Sequence, residues 1–143
     1  MYKRQKYNNP EVDVTGLGKS FIIYNADALE IYRTIYICEG AINAETLGEN
    51  GIATGGKAVS RWQVNKFIKS QVEKFIILID PDAKDKALDL AFKLVPFKKV
   101  KVVFLPDNED VNSLGKQRTL EYVRETTYQT YQELLTIKSQ LKL

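Results

Sequence analysis

The chain has 143 residues, of which 21 are Lys or Arg and 18 are Asp or Glu, for a net charge of +3; it has one Cys and no His. That length suits one domain with a real hydrophobic core, and the 44% apolar and 27% charged content is ordinary for a globular protein. A lone Cys excludes an internal disulfide, the missing His excludes the usual zinc frameworks, and no apolar run approaches the roughly 20 residues of a membrane span. With no signal-peptide core after the N-terminus, the expected location is the cytoplasm.

Residues 1–20 are polar, carry Pro10, Gly16 and Gly18, and show no period, so they are expected to form an arm or linker. Phe21 to Tyr24 is a short apolar run. Asp27 has capping-box spacing to Glu30 and predicts a helix running through Arg33. Thr34 to Cys38 is β-branched and aromatic, a strand signal. Ala41 to Glu49 reads as a helix stopped by Asn50-Gly51, and Ile52 to Thr54 as a short strand before the Gly55-Gly56 loop. Ser60 caps a predicted amphipathic helix with Trp62, Val64, Phe67 and Ile68. Phe75 to Ile79 is continuously apolar, as in a parallel strand covered on both faces. A helix with Leu88, Leu90, Ala91 and Leu94 stops before Pro96, and Val100 to Leu105 is the next strand. Thr119 to Leu143 reads as one long terminal helix. Strands alternating with helices predict an α/β fold with a mainly parallel sheet and right-handed crossovers.

Three acidic groups follow three of the apolar runs. Glu39-Gly40 follows Ile35 to Cys38, Asp80-Pro81-Asp82 follows Phe75 to Ile79, and Asp107 with Glu109 and Asp110 follows Val102 to Pro106. In a parallel sheet all three emerge at the strands' carboxyl ends, where open α/β sheets bind ligands. Carboxylates gathered there suit an oxygen-ligated Mg²⁺ or Mn²⁺. Each group also has a plainer counterpart. Glu39 serves equally well near a helix N-terminus, Asp-Pro-Asp is a good turn, and residues 105–112 have the composition of a polar loop. Lys3, Arg4 and Lys6 form one basic cluster and Lys98, Lys99 and Lys101 another; a solvated surface is the commoner role of such runs. Two phosphate-loop near-misses fail. Gly51 to Ala58 ends in Ala where the hydroxyl ligand belongs, with its strand inside the motif, and Asp13 replaces the first glycine before Gly18-Lys19-Ser20.

The segments Ile-Cys-Glu39-Gly40-Ala-Ile-Asn43-Ala, Ile-Ala-Thr-Gly55-Gly56, Leu-Ile-Asp80-Pro-Asp82 and Phe-Leu-Pro106-Asp-Asn-Glu-Asp110-Val-Asn112 together resemble the TOPRIM domain of bacterial and phage DNA primases. The likeness reaches upstream to Lys6-Tyr7-Asn8-Asn9-Pro10 and covers roughly residues 5 to 115. It implies a TOPRIM catalytic domain over 21–118, an arm over 1–20 and a C-terminal helix over 119–143. It further implies that Glu39 is the acid/base or metal-proximal carboxylate, that Asp80 and Asp82 hold Mg²⁺ or Mn²⁺, and that Asp110 completes the pocket. Lys6 and Lys57 are the implied contacts to nucleotide or nucleic acid. The sequence departs from the family at Asn43 and Asn112, where Asp is frequent, and at Lys84-Asp85, which replaces Ala-Gly.

The activity so implied is primer synthesis by metal-dependent nucleotidyl transfer, from ribonucleoside triphosphates on single-stranded DNA, in a bacterial or phage-infected cell. The zinc-binding and basic polymerase-like modules usual in such primases are not visible in the sequence. A primase half carrying them and a replicative helicase are therefore the expected partners. Two other readings use the same residues: a stand-alone TOPRIM nuclease acting on DNA or RNA, and a non-catalytic replication module docking through residues 119–143.

Overall fold

The β-branched and apolar runs form four strands: β1 (Thr34–Cys38), β2 (Gly51–Ala53), β3 (Lys74–Leu78) and β4 (Lys99–Val102). The computed structural model describes residues 22–56 and 58–143. Within them the strands make one sheet in the order β2-β1-β3-β4, parallel at every pairing. Helix α1 (Ala41–Leu47) joins β1 to β2, α2 (Arg61–Lys69) joins β2 to β3, and α3 (Lys84–Leu94) joins β3 to β4. After β4 come α4 (Val111–Leu114), α5 (Lys116–Glu125) and α6 (Tyr131–Leu141). This is the α/β architecture that the hydrophobic pattern predicts.

The period-two alternation of the strands divides the core in two. Ile35, Ile37, Phe75, Ile77, Val100 and Val102 face one way and pack with Phe67 of α2, Leu88 and Leu94 of α3 and Leu134 of α6. Cys38, Ile76, Leu78 and Val103 face the other way and pack with Ala44 and Leu47 of α1, Val111 of α4 and Val123 of α5. Phe75 to Leu78 are buried throughout, which is why that run shows no alternation. Ser60 caps α2 in a reciprocal capping box with Gln63. The Gln63 amide, itself buried, also donates to the carbonyls of Ile22 at 2.8 Å and Thr54 at 3.0 Å. It thereby ties α2 to the segment after β2.

Two expectations change. The helix predicted over Asp27 to Arg33 is a 3-10 stretch, Ala26–Glu30, whose cap is Asn25 in the left-handed region at φ 62°. The Asn25 amide donates to the carbonyls of Glu49 at 2.8 Å and Gly51 at 2.9 Å, so this residue anchors the entry to β2. The single helix predicted over 119–143 is two helices, α5 and α6, on opposite faces of the sheet. Between them the free edge of β4 takes a partner. The backbone N–H of Gln129 donates to Val100 O at 2.9 Å. Its side chain accepts from Val102 N at 2.8 Å and donates to Val102 O at 3.2 Å. Thr130 and Glu133 then start α6 with a fresh capping box.

The return from α1 to β2 is close-packed. A Cβ on Gly51 would run into the carbonyl of Ala44 in α1. Gly51→Ala is therefore expected to destabilise the chain by about 1–3 kcal/mol through overpacking, read as a lower midpoint in urea unfolding with an unchanged slope.

Candidate functional site

Strand register sets the position of the acids. Cys38 at the end of β1 pairs with Leu78 at the end of β3, so Glu39 and Asp80 leave adjacent strands almost level with each other. β2 lies on one side of this pair and β4 on the other, so the strand order reverses between β1 and β3. Ligand crevices of open α/β sheets form at such a switch point, outside the carboxyl ends.

Glu39 is held there by its neighbours. Its backbone carbonyl accepts from Gly55 N at 2.9 Å, which extends the β1–β2 ladder past the strands. Gly55 and Gly56 have φ values of 96° and 87°, which glycine adopts without strain. A Cβ on Gly56 would stand 3.9 Å from Glu39 Oε2. The N-cap of α1 is Gly40, and Glu39 stands one residue before it. Lys86 Nζ lies 3.6 Å from Glu39 Oε2 and reaches the carbonyl of Gly56 at 3.4 Å.

Asp80 is half-buried, and its Oδ1 is fully buried with no hydrogen-bond partner. Burial, then the charges of Glu39, Asp110 and Asp82, push its carboxyl pKa above the ordinary 3.8, against a smaller opposing effect of Lys86. The turn foreseen for Asp-Pro-Asp is present as a 3-10 turn, Pro81–Ala83, with Asp82 exposed on it. That turn gives the Asp80 side chain no cap bond, so it leaves Oδ1 unexplained.

The third acidic group is more structured than a polar loop. Asp110 caps α4 and accepts from Ser113 N at 2.8 Å, while Ser113 Oγ donates to Glu109 Oε1 at 2.7 Å. Asn112 N donates to the buried Asn43 side chain at 3.0 Å, and Thr46 Oγ1 to Asn112 Oδ1 at 3.3 Å. The two Asn positions thus fasten α4 to α1. Asp80, Asp82, Glu109 and Asp110, with Pro81, Asn108 and Ser113, line an open groove of about 290 Å³. Among the described residues no three acidic side chains are already closed around one point. The groove is an anionic bay rather than a finished cage. Its donors are all oxygen, and Asp80 Oδ1 supplies a buried acceptor lacking a donor, so the residues fit a hard divalent cation. The Cys38 thiol lies beneath, its pKa driven far up by burial and by Asp80 and Asp110, which makes it a poor nucleophile.

Glu39, Asp80, Asp82 and Asp110 are thus brought to one end of the sheet, while Lys6 and Lys57 lie outside the described residues. Sequence reasoning missed Lys86, and it placed Glu109 in the third acidic group without giving it a role of its own. The signal for Lys86 was its place in the first turn of the helix that follows Asp-Pro-Asp.

No family model matches the sequence, and no curated protein matches it. Solved structures do. The chain is similar to the Escherichia coli primase catalytic core, with 18% identity and a TM-score of 0.71 over 94% of this chain and 47% of that one. It is similar to a DnaG primase catalytic domain bound to single-stranded DNA, with 21% identity and a TM-score of 0.71 over 90% and 46%. The zinc-binding and RNA polymerase domains of the Aquifex aeolicus primase give 18% identity and a TM-score of 0.69 over 82% and 32%. The fold is therefore that of primase catalytic cores, as the TOPRIM resemblance implied, and the chain spans less than half the length of each structure.

Because the folded-state pKa of Asp80 is raised, its contribution to stability is complete below pH 3.8 and lost as pH rises through the raised value. Asp80→Asn is expected to raise the melting temperature of the metal-free protein at pH 7 above that of the wild type. The difference should vanish in melts run below pH 4.

Proposed function

We propose that this chain is the TOPRIM module of a primase-type nucleotidyltransferase, with Glu39, Asp80, Asp82 and Asp110 as its working carboxylates. The observation that carries the reading is Asp80 Oδ1, buried without a donor amid the charges of Glu39, Asp82 and Asp110. The similarity in fold to primase catalytic cores supports it.

Mg²⁺ or Mn²⁺ bound there would neutralise triphosphate charge and lower the pKa of an attacking 3′-hydroxyl. Asp80 and Asp82 would hold the metals, Asp80 from a buried position and Asp82 from the exposed turn. Asp110 remains oriented by Ser113 N, so one of its oxygens is fixed while the carboxylate faces the groove. Glu39 acts as the acid/base, taking the hydroxyl proton, with Lys86 beside it as counter-charge. The Gly55-Gly56 backbone leaves space next to Glu39 for a phosphate to approach. Lys6 and Lys57 would contact nucleotide or template.

The substrates in this reading are ribonucleoside triphosphates and single-stranded DNA, and the product is a short RNA primer in a bacterial or phage-infected cell. A zinc-binding, basic primase half captures the template and a replicative helicase couples the module to the fork.

Calorimetric titration with Mn²⁺ should give millimolar or tighter binding to the wild type and none to Asp80→Ala with Asp82→Ala. Binding should weaken as pH falls, because protons compete for the same oxygens. Equal binding by both proteins would remove the metal reading. Primer synthesis on a single-stranded template should require the same two residues when the remaining primase parts are supplied. Template cleavage without synthesis would instead mark a nuclease.

A further inference from the structure

The opposite end of the sheet carries the reverse charge. Register places Thr34, Lys74 and Lys99 in one row across β1, β3 and β4, and Tyr36, Ile76 and Lys101 in the next. Alternation puts these residues on the face that holds α1, α4 and α5, the face where Ile76 packs with Val123. Helix α5 covers this face only as far as Glu125. The chain then turns around the edge of β4, and Gln129, bonded to that edge, fixes Tyr128 over the part left open.

The Tyr128 ring lies 4.4 Å from Lys101 Nζ and 5.8 Å from Lys74 Nζ. Lys101 is only 7% exposed. Burial, and then the charge of Lys74, push the Lys101 pKa down. Arg124 lies in the last turn of α5, next to Val123, the residue whose carbonyl Lys101 reaches. Among the described residues the ion pairs are Arg33–Glu73, Lys86–Glu39 and Lys93–Asp89, and none involves Lys74, Lys99, Lys101 or Arg124.

A purely structural role covers part of this. Lys101 donates to the carbonyl of Val123 at 3.0 Å and so closes the last turn of α5. That bond uses one of its three N–H donors and leaves Lys74, Lys99 and Arg124 unaccounted for. Lys98, from the same basic run, is a different case, because it donates to Ser70 O at 2.9 Å and Val72 O at 2.6 Å and serves the fold.

We propose that Lys74, Lys99 and Arg124, with the buried Lys101 behind them and Tyr36 and Tyr128 framing them, form a second ligand site that seats the phosphate of a single-stranded nucleic acid. Ammonium and guanidinium groups without carboxylate partners recognise phosphate, and tyrosine hydroxyls add hydrogen bonds to its oxygens. The exposed Lys99 and Arg124 and the half-buried Lys74, beside the half-buried rings of Tyr36 and Tyr128, suit a flexible strand, whose backbone tracks the charge while its bases meet the rings. The site lies at the far end of the sheet from the carboxylates and does not depend on metal there.

The test uses the full chain in EDTA, which removes any contribution of a metal site. A fluorescently labelled oligothymidylate is titrated by anisotropy at several salt concentrations, and inorganic phosphate is titrated in parallel by amide NMR shifts. Lys74→Gln with Arg124→Gln, and separately Lys99→Gln, are compared with Lys93→Gln on α3, each checked by thermal melt. The double variant should weaken oligonucleotide binding about tenfold and flatten its salt dependence by about one unit in log–log slope, with Lys93→Gln unchanged. If oligonucleotide binding is unaffected but phosphate shifts at Lys74 and Lys101 disappear, the anion site stands and its ligand is a free phosphate compound. If both probes behave as in the wild type, or the wild type binds neither, the proposal is overturned.

Discussion

Parallel pairing of β1 with β3, from Thr34 on Lys74 to Cys38 on Leu78, is the constraint on which the other features depend. Parallel strands end on the same side, so the residues after both runs must emerge together. The crossovers then place β2 outside β1 and β4 outside β3, opening a crevice between the central strands. Glu39 and Asp80 meet at its mouth because of the register. A slip of one residue would exchange Phe75 and Ile77 with Ile76 and Leu78 between two differently shaped cores, so close packing on both faces protects the juxtaposition.

That juxtaposition is unfavourable on its own terms. Asp80 is partly withdrawn from water beside three other carboxylates, with one Lys86 as nearby counter-charge. The surroundings limit the repulsion with neutral residues. Asn43 and Asn112, found where the resembled family often has Asp, link α1 to α4 by hydrogen bonds and add no negative charge. Lys74, Lys99 and Lys101 lie toward the other end of the strands, too far along the sheet to offset the acids.

Much of this was legible in the residues because it is local. The continuous apolar run before Asp80 declares a strand covered on both faces, Ser60 declares the start of α2, and the three acidic groups follow their strands directly. What escaped the sequence depends on partners far along the chain. Residues 126–130 read as helix because the pattern on either side is helical, and only the unpaired edge of β4, some 27 residues earlier, draws Gln129 out of it. Asn25 is similar, since its amide serves carbonyls of Glu49 and Gly51. Residues 105–112 have loop composition, but Asp110 finds Ser113 and Asn112 finds Asn43, and a turn of helix results. Lys86 looks like any solvated helix lysine until the fold carries it to Glu39.

The strap formed by residues 126–130 has a mechanical consequence. It passes around the rim of the sheet, with α5 behind it on one face and α6 ahead of it on the other, so the last helix is laced to the edge as well as packed on it. Displacing α6 pulls on Gln129, and through Gln129 on Val100 and Val102 in β4. Undocking the whole of α6 therefore disturbs the outer edge of β4 as well, because Gln129 joins the two.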